Sequence, residues 1–165
     1  VELGAGNGEL IEVLINTLNK LEIVKDKFKF FIFEKSVSLK KLQKKKFSKS
    51  VKWLDNFDKL PNSPTIFLAN EFFDALPIKQ FFKINEDWYE NYVLLNKSGK
   101  FSLEKKKVTK KKMDKIFNQG IDENQNFIEF SPLMVKYLKS ICKKIKSSAG
   151  GILLIDYGTL SLIHI

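Results

Sequence analysis

Four carboxylates and a run of alternating glycines carry the chemistry that this sequence offers. Gly4, Gly6 and Gly8 alternate in VELGAGNGEL, and Glu2 stands two residues before the first of them. Glu34 closes a second apolar stretch, FKFFIFE. Asn70, Glu71 and Asp74 sit in ANEFFDALP, directly after a third apolar run, TIFLA. A glycine turn between a strand and a helix aims backbone N–H groups at a ligand. Carboxylates at the ends of parallel strands face the same edge, where open α/β sheets bind their ligands.

The spacing excludes two ligand classes. A phosphate-binding P-loop needs Gly-Lys-Ser or Gly-Lys-Thr, and Gly8 is followed by Glu9-Leu10. The dinucleotide fingerprint needs glycine where Glu9 stands, and Glu9 would set a carboxylate beside a pyrophosphate. S-adenosylmethionine (SAM) fits better, since it carries an ammonium and a sulfonium and no phosphate. Gly4, Ala5, Gly6 and Gly8 form the turn that lets the backbone approach it, and Glu2 offers negative charge to its methionine end. Glu34 is placed to accept hydrogen bonds from both ribose hydroxyls. For the glycines alone, the plainer alternative is a tight strand-to-helix turn.

The elements that position these residues follow from periodicity. Leu10, Ile11, Leu14, Ile15, Leu18 and Leu21 predict a helix over about 8–21. Strands are expected over 28–33, 51–54, 65–69 and 152–156, with a short basic helix over 38–47. Pro132 opens a helix to about 146, with Ser131 as a plausible N-cap. Between these lie strands over 79–84, 88–95 and 100–104, the last two joined at Lys97-Ser98-Gly99. This alternation predicts a doubly wound α/β sheet with an antiparallel insertion over about 79–108 that acts as a lid.

Glu71 and Asp74, three residues apart, share a face if the turn after their strand is helical. Together they form a carboxylate pair placed to orient an acceptor. On the alternative reading, Asn70 caps a helix and Asp74 complements its dipole. Asp156 and Tyr157 end a strand at the same edge, where they line an acceptor pocket or Tyr157 closes the core. Trp53 and Trp88 read as packing residues, and Cys142 as a small buried hydrophobe.

Composition narrows the field further. The 165 residues allow one domain with a real core, and no apolar run matches a membrane span. A net charge of +10 invites a nucleic-acid reading, yet all 29 basic residues are Lys and none is Arg. Arg is the residue that reads guanine edges, and abundant Lys, Asn, Ile and Phe match the codon bias of an AT-rich genome. The lysine runs therefore read as solvated surface, and no nucleic-acid partner is expected. One cysteine and one histidine leave no disulfide framework and no metal site.

The last six residues, LSLIHI, are the translation of CTGTCTCTTATACACATC, a transposase adapter end. Residues 160–165 are therefore expected to be non-native, and residues 1–159 to be part of a larger domain.

Taken in order, VELGAGNGEL, the strand ending in Glu34, Trp53, ANEFFDALPIKQF, Trp88-Tyr89-Glu90, IEFSP and LLIDYG make a pattern that resembles the MidA family of SAM-dependent methyltransferases. The resemblance covers Val1 to Gly158, and NEFFDALP is its most specific part. It implies a Rossmann-like class I methyltransferase fold with SAM as cofactor. It further implies methyl transfer to a protein arginine in respiratory complex I assembly, in the mitochondrial matrix or the bacterial cytoplasm. Glu71, Asp74 and Asn70 are then the catalytic group, and a complex I subunit the expected partner. Alternatives are a SAM-binding assembly factor with little turnover, or a methyltransferase acting on a small molecule or RNA.

Overall fold

The computed structural model describes residues 1–22, 27–47, 49–117, 120–122 and 124–157; the expected 160–165 tail lies outside them. In chain order the elements are β1 (Glu2–Leu3), α1 (Glu9–Lys20), β2 (Phe30–Phe33), α2 (Val37–Phe47), β3 (Val51–Leu54) and β4 (Thr65–Asn70). They continue with β5 (Lys79–Ile84), β6 (Asp87–Leu95), β7 (Phe101–Val108), α3 (Lys110–Ile116), β8 (Phe127–Phe130), α4 (Pro132–Ser148) and β9 (Gly150–Ile155). Two compact units result, one of Val1–Leu76 with the chain from Met134 onward, the other of Pro77–Leu133.

In the first unit, five strands form a parallel sheet in the order β3-β2-β1-β4-β9. The order reverses between β1 and β4, which makes that crevice the ligand-binding switch point of a doubly wound sheet. The expected α/β architecture is present. β2 reads FFIF because it is buried on both faces. Phe31 and Phe33 join Leu3, Phe67 and Ile141 in one core, while Ile32 joins Ala5, Ile11, Ile15, Phe47 and Val51 in the other. α4 turns Tyr137, Leu138, Ile141 and Ile145 toward the first core. Cys142, one position past fully buried Ile141, is rotated away and exposed, contrary to the expected buried thiol.

The second unit is an antiparallel sheet ordered β7-β6-β5-β8, with Phe81, Val108, Met113 and Ile128 at its centre. It runs further than the 79–108 expected, because β8 returns to pair with β5 and Thr109 caps an additional helix, α3. β7 also outlasts the predicted 100–104 strand. Its lysine run stays extended because Lys107 pairs with Asp87, while Lys105 and Lys106 lie over the rings of Phe82 and Tyr92. These are cross-strand effects that composition does not register.

Glu90 is buried at 2% exposure and accepts hydrogen bonds from Lys79, Lys112 and Tyr92. Burial raises its pKa, but the three donors outweigh that and hold it at about 2. A depressed carboxylate stabilises fully above its unfolded pKa, and the contribution is lost as pH falls through the folded value. The melting-temperature gap between wild type and Glu90→Gln should therefore be widest above about pH 4.5 and close toward pH 2.

Candidate active site

The glycine turn leaves β1 at the switch point. The Gly4 N–H donates to Phe33 O at 2.9 Å, which ties the turn to the end of β2, and the Gly8 N–H donates to Ala5 O at 2.7 Å. The three glycines do different jobs. A Cβ on Gly4 would lie 2.8 Å from the Phe72 ring, and one on Gly8 would lie 2.4 Å from the Phe47 ring. Those two are therefore required by packing against the protein itself. At Gly6 a Cβ would meet nothing within 4 Å, although the backbone is left-handed, with φ +53. Gly6 is the position with open space above it. Ala5 faces the core at 8% exposure.

Gly8 is also the N-cap of α1, and no side chain caps the helix. In that first turn the Ile11 amide faces the Glu2 carboxyl. Across from the turn, Glu34 is buried at the end of β2. Its Oε1 accepts the Ser36 N–H at 2.8 Å and its Oε2 accepts Gln43 Nε2 at 3.2 Å. Gln43 Nε2 also donates to Gly6 O at 2.9 Å, and Gln43 Oε1 accepts Trp53 Nε1–H at 2.9 Å. The structure thus joins Gly6 and Glu34 through a fully buried amide. Sequence reasoning missed Gln43. The available signal is that it alone in LKKLQKKKF is neither Lys nor apolar, on a stripe with Leu39 and Phe47. Leu42, the more obvious core candidate, is 55% exposed.

Glu2 is placed differently. It is 5% exposed and its Oε2 has no hydrogen-bond partner. Burial pushes its carboxyl up to about 7, against smaller downward pulls from the Ile11 amide and the Val1 amino group. Glu2 also lines a cavity of about 580 Å³ with Val1, Ile11, Leu14, Phe30 and Thr65. Phe30 and Thr65 begin their strands, so this cavity opens at the edge opposite the switch-point crevice and is not assigned to the cofactor.

The second motif gathers at the carboxyl ends of β4 and β9. Asn70, exposed, is the last residue of β4 and pairs with Ile155 of β9. No helix follows, so the N-cap and dipole roles for Asn70 and Asp74 have no helix to act on, nor does the helical face expected for Glu71 and Asp74. Instead the chain reverses at Glu71, whose φ is +50. Its N–H donates to Ile155 O at 2.7 Å. A left-handed backbone at a non-glycine residue is strained, and such strain collects at functional sites. The reversal sends Phe72 against Gly4, so the two motifs touch. Tyr157 is 78% exposed rather than closing the core. A hydrogen bond to Glu71 raises its phenol pKa, with further charge effects from Glu71, Asp74 and Asp156. The register of β4 with β9 and the Glu71 N–H bond to Ile155 O thus set Glu71 beside Asp156 and Tyr157, with Asp74 three residues on.

Residues 1–163 match the model of a family described as "Putative S-adenosyl-L-methionine-dependent methyltransferase". The chain belongs to this family. SAM is accordingly the cofactor, and the likeness to MidA methyltransferases read from the motifs holds. The mitochondrial protein arginine methyltransferase NDUFAF7 homolog of Caenorhabditis elegans is 28% identical over 96% of this chain and 42% of its own length. The mitochondrial protein arginine methyltransferase NDUFAF7 of Xenopus laevis is 31% identical over 68% of this chain and 26% of its own. The chain spans less than half the length of these relatives. Two Burkholderia thailandensis crystal structures share the fold. One is 25% identical with a TM-score of 0.64, covering 86% of this chain and 38% of that one. The other, bound to S-adenosyl-homocysteine, is 24% identical with a TM-score of 0.63, covering 86% and 37%.

The residues present fit this cofactor at two points: open space at Gly6 and the buried Glu34 carboxylate. The glycines are expected to separate on substitution. Gly8→Ala meets both a left-handed φ and the Phe47 ring, and Gly6→Ala only the φ penalty of about 1–2 kcal/mol. Thermal melts should show a clearly larger loss for Gly8→Ala, and calorimetry should show Gly6→Ala, still folded, binding SAM more weakly.

Proposed function

We propose that this chain carries the cofactor site and part of the acceptor site of an enzyme that methylates a protein arginine. The observation that carries the reading is that the pairing of Asn70 with Ile155 and the Glu71 N–H bond to Ile155 O set Glu71 beside the Asp156-Tyr157 end of β9, with Asp74 three residues on. Carboxylates at this edge suit a guanidinium, whose planar fork of N–H donors pairs with carboxylate oxygens.

Bound SAM supplies a methyl group activated by its sulfonium. In-line displacement then depends mainly on alignment and on keeping water away. Glu71 and Asp74 orient the fork, and one of them takes up the proton that the guanidinium nitrogen releases as it gains the methyl group. Asn70, exposed at the end of β4, is a further donor and acceptor at the same edge. On the cofactor side, Gly6 would admit the ligand and Glu34 would accept from the ribose hydroxyls, whereas Glu2, its carboxyl pushed up by burial, serves the packing beneath the turn. The names of the relatives, protein arginine methyltransferases, support a protein acceptor. A complex I subunit follows from the MidA resemblance. The relatives are mitochondrial, and among the described residues no helix is long and apolar enough to cross a membrane.

Glu71→Gln and Asp74→Asn replace acceptor oxygens with N–H donors that face the acceptor's own donors. Single-turnover transfer from radiolabelled SAM to arginine-bearing complex I subunits should fall by about 10²-fold or more in each, with SAM affinity near that of wild type. Transfer at the wild-type rate in both variants would remove the carboxylates from the mechanism. Labelled SAM that binds but labels no protein would favour an assembly factor with little turnover.

A further inference from the structure

Gln43 is buried without exposed surface, yet from Leu39 to Phe47 every other residue of its helix is lysine or apolar. Its amide has a defined orientation. Trp53 Nε1–H can only donate, so the oxygen of Gln43 must face it, and the nitrogen must face Gly6 O and Glu34 Oε2. Trp53 is in turn fixed on β3, paired in register with Ile32 of β2. The chain of contacts therefore runs from a strand through a buried amide to both halves of the cofactor site.

We infer that Gln43 is a positioning residue for adenosine recognition, holding Glu34 in its ribose-accepting rotamer. This rests on the assignment of Glu34 to the ribose made above. A carboxylate hydrogen-bonded through each oxygen has little rotamer freedom, so it presents its remaining lone pairs without ordering at the moment of binding. Ser36 N–H holds Oε1 and Gln43 holds Oε2. Trp53 prevents the amide from flipping, a flip that would put an oxygen against a carboxylate and a carbonyl. A neutral amide achieves this without a positive charge that would neutralise Glu34.

The test is calorimetry on the full-length protein with two ligands, S-adenosylhomocysteine and its 2′,3′-dideoxyribose analogue. Gln43→Met keeps the shape and removes the hydrogen bonds. It should weaken S-adenosylhomocysteine by about 10-fold or more, the loss expected for hydrogen bonds to a charged group. The dideoxy analogue should bind as it does to wild type. In a Glu34→Gln background, Gln43→Met should add little further loss. Trp53→Phe, which removes the donor that orients the amide and some packing against the second core, should produce a smaller loss with the same ligand selectivity. Equal weakening of both ligands by Gln43→Met, or by Trp53→Phe if the former does not fold, would make Gln43 a general support of the turn and overturn the proposal. Unchanged affinity for both would also overturn it. Failure of the ribose assignment is separately visible, since wild type and Glu34→Gln would then bind S-adenosylhomocysteine equally well.

Discussion

The site depends on how the chain leaves β4. Glu71 takes a left-handed backbone, with φ +50, that ordinarily selects glycine, and its N–H is held by Ile155 O. That reversal directs Phe72 onto Gly4, so the glycine turn and the acidic motif form one packed unit. It also brings Glu71 beside Tyr157, at the end of the neighbouring strand. A regular helix after Asn70 would have carried the carboxylates along its axis. The turn keeps them at the sheet edge, next to the crevice between β1 and β4. Strain of this kind persists only where surrounding contacts over-determine it. Here the aromatic cluster of Phe33, Phe72, Phe73 and Tyr137 provides those contacts.

Much of the architecture was legible because parallel strands buried on both faces leave continuous apolar runs. FKFFIF and TIFLA announce themselves, and α1 follows from its apolar spacing. Glu34 and Glu71 were legible for the same reason, since each comes at the end of such a run. β8 and α3 were not, because they are fixed by cross-strand pairing and by a Thr109 cap amid lysines. Gln43 was hidden for a related cause. Its importance comes from three partners distant in sequence, Gly6, Glu34 and Trp53, rather than from its neighbours. The glycines show the opposite error: their uniform spacing suggested one role, whereas Gly4 and Gly8 make room for Phe72 and Phe47, and only Gly6 is open.

The charge distribution is consistent with the chemistry. A chain with net charge +10 carries four acidic or phenolic groups together at one sheet edge. Its lysines are paired with carboxylates or laid over aromatic rings in several places, as at Lys46 with Glu12, Lys40 with Asp55 and Lys35 over Phe33. A cationic acceptor would find its negative counterpart in that cluster rather than in the protein's overall field, since charges farther apart than a Debye length are screened.

The most direct measurement is the effect of Glu71→Gly on stability and on methyl transfer in the same preparation. Glycine adopts a positive φ without the side-chain penalty, so the melting temperature should rise, by the equivalent of about 1 kcal/mol. Methyl transfer at saturating SAM should fall sharply, because the carboxylate is gone while the turn is kept. A rise in stability with unimpaired transfer would contradict the role given to Glu71. A fall in both would mean that the side chain holds the turn together and that its strained backbone is not retained for the chemistry.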